Sequence, residues 1–254
     1  MESINEKIIS AATAIIKSKH LVAFTGAGVS VESGIPPFRG EEGLWSKYDP
    51  QVLELSHFHR YPHESWVVIK EIFYDFFGKA KPNAAHIALA RLEKMGILKS
   101  LITQNIDNLH QEAGNAIVHE FHGNSHKLIC TKCSRHFALD EIKLEVLPPK
   151  CVNCNSLIKP DFIFFGEGIP VTAYQASHKA AELSDVFLII GSTGEVSPAN
   201  QIPIHAKNTG ALIIEVNPEN SRYTNFITDI HLKGKAGEIM NTLMEEVQQK
   251  LKTI

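Results

Sequence analysis

Long apolar runs, cysteines and excess charge of either sign are all scarce in this 254-residue sequence. No apolar run approaches the roughly 20 residues that a membrane-spanning helix needs. The net charge is −3 and both signs are interspersed, so no basic surface for duplex nucleic acid is expected. The first seven residues lack the basic-then-apolar layout of a secretory signal, and we therefore expect a cytoplasmic protein. Nothing in the composition indicates an oligomeric state.

The cysteines are few, but their spacing is regular. All four fall in two Cys-x-x-Cys pairs, with seventeen residues (134–150) between the pairs. This spacing is typical of a tetrahedral zinc site in which each pair forms a turn at the end of a hairpin. A redox dithiol is the weaker alternative, since one pair would suffice for it. Four thiolate ligands leave no open position for water, so the predicted zinc is structural, and its ligands are Cys130, Cys133, Cys151 and Cys154.

A third glycine is missing from the motif after the first predicted strand, Leu21–Thr25. Gly26 and Gly28 lie where that strand ends, but the usual dinucleotide motif has a third glycine that opens a helix. An ordinary glycine turn is therefore the alternative interpretation. An aromatic and a guanidinium nearby, in Phe38-Arg39-Gly40, favour a binding loop. We predict that residues 26–30 cradle phosphates and that residues 31–40 form a lid.

Strand and helix patterns alternate along the chain, which predicts an α/β protein with a parallel sheet. The length favours one large domain with a smaller insertion. An aromatic-rich helical segment, Glu64–Phe77, interrupts the alternation and is expected to form the core of a small insert. The predicted helices of the large domain are Asn5–Ser18, Pro82–Met95, Thr172–Leu183 and Glu238–Leu251, and its predicted strands are Leu21–Thr25, Ile97–Thr103, Val186–Ile190 and Ala211–Val216.

Polar residues follow three of these strands. Because ligands of open α/β sheets bind beyond the carboxyl ends of the strands, Gln104, Asn105 and Asp107 are placed for a ligand with hydroxyl or carboxamide groups. An Asx-turn is the alternative for one of them. His122 precedes a glycine. The ordinary pKa of a histidine side chain is near 6.5, which suits it to accept a proton near neutrality and makes His122 a candidate general base. The last two strands end at residues 191–195 and 217–219, and an apolar stretch at residues 162–167 is expected to return to the large domain.

Several motifs together resemble the sirtuin family, from about residue 5 to residue 250. They are, in order, GAGVSVESGIPPFRG (26–40), TQNIDNLH (103–110), FHGN (121–124), the two cysteine pairs, FFGE (164–167), GST (191–193) and NPE (217–219). The resemblance implies a Rossmann-like NAD-binding domain made of residues 1–40, 81–124 and 157–254. It also implies a smaller domain, with a helical insert at 41–80 and a Cys-four zinc module at 125–156.

The resemblance also implies a role for individual residues. His122 takes the position of the general base, and Asn105 and Asp107 lie at the reacting ribose. Residues that match the family's cofactor contacts are Gly26, Ala27, Gly28, Ser30, Phe38, Arg39, Gln104, Asn105, Ile106, Asp107, Gly191, Ser192, Thr193, Asn217, Pro218, Glu219 and Ala236.

The activity implied by the resemblance is NAD-dependent deacylation of protein lysine side chains. NAD is then a co-substrate, and the products are nicotinamide, free lysine and O-acyl-ADP-ribose. Two alternatives stay open: a protein mono-ADP-ribosyltransferase, against which His122 argues, and an NAD or ADP-ribose sensor without turnover. The complete polar set at Gln104, Asn105, Asp107 and His122 argues against the second.

The chain departs from the family pattern at three places. Pro37 stands where many relatives have Asp or Thr, and Gly194-Glu195 replaces a common apolar pair. Members that prefer acidic acyl groups carry a Tyr-x-x-Arg pair in the helical insert, whereas here Tyr74 is followed by Phe77. An apolar pocket would leave a succinyl carboxylate unpaired, so acetyl or longer fatty acyl groups are expected.

Overall fold

The computed structural model describes residues 3–38 and 43–253. Its helices are α1 (Ile4–Lys17), α2 (Leu55–Arg60), α3 (Pro62–Ile69), α4 (Ala84–Lys94), α5 (Leu109–Ala113), α6 (Val171–Leu183), α7 (Gln201–Asn208) and α8 (Ala236–Leu251). Its strands are β1 (Leu21–Thr25), β2 (Leu98–Thr103), β3 (Val118–Glu120), β4 (Gly123–Cys130), β5 (His136–Ala138), β6 (Ile158–Phe162), β7 (Val186–Ile190), β8 (Leu212–Asn217) and β9 (Ile230–Lys233).

The larger sheet is parallel and has the strand order β3-β2-β1-β7-β8-β9. β1 and β7 are its central strands, and every residue of both is buried, as expected of strands covered on two faces. The chain leaves β1 toward one edge of the sheet and later returns at β7 to build the other edge. This reversal of strand order is the Rossmann-like switch point, where open α/β sheets bind ligands. The predicted fold class is confirmed.

Helices cover both faces of the larger sheet. One hydrophobic cluster joins α1, α4 and α8 to the sheet through residues such as Ile15, Leu89 and Leu243. The other face packs on α6 and α7 through Ala181, Ile202 and Phe187. Helix α4 begins at Ala84, two residues after the predicted Pro82: Asn83 caps it, and the backbone N–H of Asn83 donates to His86 Nδ1 at 3.3 Å. The side chain of His86 thus takes part in the cap of this helix.

A second, three-stranded sheet has the order β5-β4-β6 and packs with α2 and α3 around its own hydrophobic core. It extends from Gly123 to Phe162, which is wider than the predicted zinc module at 125–156, because β4 and β6 pair at both ends, with an irregularity between Asn124 and Leu128. The expectation that residues 162–167 return directly to the large domain is wrong. Phe162 ends β6, and Phe165 N–H then donates to Leu53 O of the helical insert.

Three local features differ from the sequence prediction. The helix expected at 64–77 ends as α3 at Ile69 and continues as a π-helical segment, Lys70–Phe76. The glycine motif enters a 3₁₀ helix, Ala27–Ser33, which reaches into the predicted lid and ends at Gly34, where φ is +86°. Helix α7 and strand β9 were not predicted.

No helix among residues 3–38 and 43–253 is long and apolar enough to cross a membrane.

Candidate functional site

The main cavity, of about 770 Å³, lies at the switch point between β1 and β7. The turns after these two strands form its floor, and residues from both sheets form its walls. Its lining includes most of the residues that the sequence predicted as cofactor contacts: Gly26, Ala27, Gly28, Phe38, Gln104, Asn105, Ile106, Gly191, Ser192, Thr193, Asn217, Pro218 and Glu219, together with His122.

A glycine from a distant part of the chain completes the floor of this cavity. Gly191 follows β7 with φ of +63°, and a Cβ there would lie 2.3 Å from Val29 N and 2.7 Å from Gly28 Cα. Gly28 N–H donates to Gly191 O at 2.9 Å, and Gly26 N–H donates to Ile190 O at 3.0 Å. These two amides bond to protein carbonyls and so do not point at an anion. The glycines are required instead for the close approach of the turns after β1 and β7.

A buried hydrogen-bond network lies behind the lining residue Asn105. Asn105 Nδ2 donates to Ser30 Oγ at 3.1 Å and to Gly26 O at 3.2 Å, and Ser30 Oγ donates to Asp107 Oδ2 at 2.7 Å. Burial raises the pKa of Asp107, and the hydrogen bonds from Ser30, Leu109 and Asn105 oppose that shift. The network therefore holds the Asn105 carboxamide in one orientation at the cavity wall.

His86 extends this network from α4. Because the Asn83 N–H donates to Nδ1, the ring proton is on Nε2, which lies 3.5 Å from Ser30 Oγ and donates to it. Burial lowers the pKa of His86 to about 4. The ring of His110 lies 4.8 Å from it, and burial together with this neighbour lowers the pKa of His110 well below its usual value. Both histidines are neutral parts of the scaffold at neutral pH.

His122 lies in the cavity wall between the two sheets. Its Nδ1 is 3.0 Å from Gln104 O, and because a carbonyl only accepts, the proton of the neutral ring is on Nδ1. Nε2 is then the basic nitrogen. Burial lowers the pKa of His122, and the hydrogen bond to Gln104 opposes that shift. The side chain is thus held as a neutral imidazole, the form that a general base requires.

The far end of the cavity is built by the turns after β7 and β8. Gln104 Nε2 donates to Ser192 Oγ at 2.9 Å, and Asn217 Nδ2 donates to Ser192 O at 3.1 Å. Residues after β2, β7 and β8 therefore contact one another directly. Their side chains present both donors and acceptors, as a nucleoside needs.

Three of the predicted contacts lie elsewhere. Ser30 and Asp107 are absent from the lining that the described residues form, and both act through the buried network. Ala236 is buried at the start of α8, where the next residue, Gly237, donates its N–H to Glu32. Arg39 lies outside the described residues, whereas its neighbour Phe38 lines the cavity and has its ring 5.6 Å from that of Trp45.

One side of the cavity is apolar. Phe73, Ile106 and Phe162 contribute to its wall, with Trp45 and Phe164 beside them. Tyr74 is not part of the lining that the described residues form, and its hydroxyl donates to Ser125 O at 3.0 Å. Phe77 is buried and packs edge-on against Phe73, with a ring separation of 5.5 Å.

The four cysteines meet at one point beside the three-stranded sheet. Their sulfur atoms all lie within 4.8 Å of one another, and Cys133 Sγ is 3.8 Å from Cys151 Sγ. Zinc–sulfur bonds of about 2.3 Å in a tetrahedron place sulfur atoms about 3.8 Å apart, so the cluster fits zinc. Because all four ligands come from protein thiolates, this zinc is structural.

The two cysteine turns share one backbone pattern. Ser134 N–H donates to Cys130 O at 3.1 Å, and Asn155 N–H donates to Cys151 O at 2.8 Å. Ser134 and Asn155 also both have positive φ, at 54° and 56°. The second pair therefore repeats the fold of the first, as expected when each pair supplies two ligands to one metal.

Some lining residues were not found by sequence reasoning. The segment 196–198 lines the cavity without any signal in the sequence, and only the FFGE motif gave a signal for Glu167. His86 and His110 were not predicted as part of the site, and only their contacts with Ser30 and Thr25 show that they support it.

Comparisons with known proteins agree with this arrangement. A sequence model of the Sir2 family matches residues 26–198. An NAD-dependent protein deacylase 2 from Pyrobaculum aerophilum is 42% identical over 249 residues, which cover 96% of this chain and 98% of the relative. A solved Sir2 homologue–NAD complex has a TM-score of 0.88 at 40% identity and covers 95% of this chain and 94% of its own. A Sir2–p53 peptide–NAD⁺ structure has a TM-score of 0.87 at 33% identity, with 94% and 98% covered.

Proposed function

This chain belongs to the Sir2 family, and we propose that it removes acyl groups from protein lysine side chains with NAD as co-substrate. The observation that carries the proposal is His122, held by Gln104 O as a neutral base within the switch-point cavity. Solved relatives that are complexes with NAD, and with NAD⁺ and a p53 peptide, support the same pair of substrates.

In the proposed reaction, the acyl oxygen replaces nicotinamide at the ribose carbon, and one water molecule then releases the lysine amine and leaves the acyl group on ADP-ribose. The products are nicotinamide, free lysine and O-acyl-ADP-ribose. The enzyme is therefore a transferase, because the acyl group passes to ADP-ribose, and the amide bond of the acyl-lysine is hydrolysed overall. His122 Nε2 takes a proton from a ribose hydroxyl. Asn105, fixed by Ser30 and Gly26 O, orients the ribose and nicotinamide end. Phe38 and Trp45 cover this end and exclude water from it.

We also propose a division into two parts that follows the two sheets, with NAD on the part that carries the six-stranded sheet. The acylated lysine enters between that part and the smaller one, which carries the three-stranded sheet and the helical insert. The apposition of Gln104 and His122 on one side with Phe162 and Phe164 on the other supports this entry path. The cytoplasmic location rests on the use of all cysteines as thiolate ligands.

Neutral acyl groups are the proposed substrates, because the apolar wall offers no cation to a carboxylate. No lysine or arginine belongs to the cavity lining as far as the chain is described. The test compares peptides with acetyl-, butyryl- and succinyl-lysine. Butyryl is the matched control for succinyl, since both have four carbons and differ in a methyl against a carboxylate. A succinyl peptide that reacts faster than the butyryl and acetyl peptides would refute this preference.

One assay tests the activity itself. The protein is incubated with NAD and an acetyl-lysine peptide, and the products are identified by mass. Deacylation predicts nicotinamide, deacetylated peptide and O-acetyl-ADP-ribose in equal amounts. ADP-ribose attached to the peptide or protein would indicate a transferase of ADP-ribose instead, and NAD binding without products would indicate a sensor.

A further inference from the structure

A buried carboxylate lies beneath one end of the cavity, outside its lining. Glu215 is on β8 and is fully buried at 0% exposure. Its oxygens accept from Asn217 Nδ2 at 2.8 Å and from Thr228 Oγ1 at 2.6 Å, and two further hydroxyls donate to Oε1. Within the described chain, no lysine or arginine pairs with it. The four side-chain donors are those of Asn217, Ser221, Thr224 and Thr228.

These donors fold the segment 217–228 back over the sheet. Three of them lie in a loop of hydrogen-bonded turns, and their hydroxyls hold this loop against the buried carboxylate of Glu215. The folded loop also contacts the neighbouring turn, because Arg222 N–H donates to Thr193 O at 3.0 Å. Tyr223 packs so closely on Gly194 that a Cβ there would lie 2.9 Å from its ring. Glu215 thus supports the walls after both β7 and β8.

The contact with Asn217 fixes which atom of its amide is available to a ligand. Nδ2 donates to both Glu215 Oε1 and Ser192 O, at 2.8 and 3.1 Å, so both amide hydrogens are used. In the described part of the chain, Oδ1 accepts no hydrogen bond, and Asn217 lines the cavity. The group left for a ligand is therefore an acceptor, suited to a hydroxyl donor.

We infer that Glu215 is a positioning residue for NAD: it locks the Asn217 amide so that Oδ1 accepts a hydroxyl of the adenosine ribose, and it holds the loop 217–228 as the wall beside it. This inference rests on the proposed function only in taking NAD as the ligand. Glu215 does not touch NAD, and its effect is on cofactor recognition rather than on the chemical step.

The test is Glu215→Gln, which keeps the size of the side chain but replaces one acceptor oxygen with a donor. We measure binding by calorimetry and steady-state kinetics with NAD, and with NAD analogues that lack the 2′- or the 3′-hydroxyl of the adenosine ribose. Because the amide oxygen of glutamine is a weaker acceptor than a carboxylate, the hydrogen bonds from Asn217, Ser221 and Thr224 weaken, which predicts about a tenfold higher KM for NAD, with kcat changed less than about twofold. Wild type is expected to favour NAD over one deoxy analogue by about tenfold, and the variant by less than about twofold.

Loss of this discrimination is the readout that a general loss of stability would not give. Glu93→Gln is the matched control, since Glu93 also holds a loop, by accepting from Asn115 Nδ2 and from Ala116 and Ile117 N–H, but lies away from the cavity. It is expected to lower stability and to keep discrimination. If Glu215→Gln does not fold, Glu215→Asp keeps the charge and shortens its reach, with the same predicted loss.

Unchanged discrimination in the folded Glu215 variant, or equal loss in Glu93→Gln, overturns the inference. Calorimetry without peptide separates this result from the proposed function. Wild type that binds NAD without deacylating refutes the activity but leaves the Glu215 comparison valid. Wild type that does not bind NAD refutes both.

Discussion

The buried histidine His86 makes the stability of this protein depend on pH between neutrality and pH 4. Its Nδ1 accepts the N–H of Asn83, and its Nε2–H faces Ser30 Oγ. Adding a proton to Nδ1 would set two donors against each other and charge a buried ring. Burial accordingly lowers the pKa of His86 to about 4. The unfolded chain has the ordinary histidine pKa of about 6.5 and binds the proton more readily.

The sign and size of the effect follow from linkage. A histidine with a lowered pKa in the folded state contributes no penalty above pH 6.5, and stability is lost as the pH falls from 6.5 toward 4. Each unit of difference corresponds to about 1.4 kcal/mol. Between pH 7.5 and pH 5.0, His86 therefore lowers the free energy of unfolding by about 2 kcal/mol.

The perturbation is His86→Gln. Glutamine at this third helical position can keep the capping box with Asn83 but cannot take up a proton. Urea unfolding is followed by far-UV circular dichroism at both pH values, because Trp45 and Trp66 report only on the smaller part. The variant is expected to lose about 2 kcal/mol less than wild type on acidification. His63→Gln, at an exposed position, is the control and should follow wild type. A difference below about 0.5 kcal/mol between His86→Gln and wild type would refute the reasoning.

Three other predictions concern the base, the zinc site and the glycine floor. His122→Ala should abolish deacylation while NAD binding persists, and full activity of the variant would remove His122 from the mechanism. Because burial lowers the pKa of His122, kcat/KM of the wild type should fall on the acid side with a midpoint below pH 6.5. The purified chain should contain one zinc, and Cys130→Ser should lose it and melt at lower temperature; a metal-free variant with wild-type stability would contradict a structural zinc. Gly191→Ala should weaken NAD binding and cost clearly more stability than Gly210→Ala, which has a similar positive φ but nothing within 4 Å, so equal effects would show that close packing at Gly191 is unimportant.

The sequence predicted the elements whose signals are local and strong. Strands β1 and β7 have the predicted bounds, since continuous apolar runs with β-branched residues identify a fully buried parallel strand. Helix α4 begins within two residues of the predicted Pro82, because a proline before an apolar periodic run indicates the start of a helix. Helix α7 was missed because Pro203 lies in its first turn and its amphipathic pattern is weak, although a proline is tolerated there. Strand β9 has four residues, too few for a periodic signal.

The residues of the candidate site could be predicted where polar side chains follow the end of a strand. They could be predicted much less well where residues distant in sequence come into contact in the fold. Gln104, Asn105 and Asn217 were found by that rule. Glu215 was not, since a glutamate within a strand looks like a solvent-facing residue until its donors at Ser221, Thr224 and Thr228 are brought over it. His86 and Ser30 are 56 residues apart in sequence, and no local pattern joins them. Burial and tertiary contact determine the role of such residues.

The motif at Gly26 lacks the usual third glycine, but the site still requires one residue without a side chain where two backbone segments come close together. That residue lies elsewhere in the chain. The usual motif needs a glycine where a helix packs closely against a strand. Here the closest approach is instead between the turns after β1 and β7, and the residue without a side chain is Gly191, which bonds through its carbonyl to Gly28 N–H. Because Gly191 begins the segment that also carries Ser192 and Thr193, the packing contact and this part of the cavity wall belong to one turn. A side chain at Gly191 would therefore displace the floor and the wall of the cavity together, so the pairing of these two turns, more than either motif alone, determines the shape of the site.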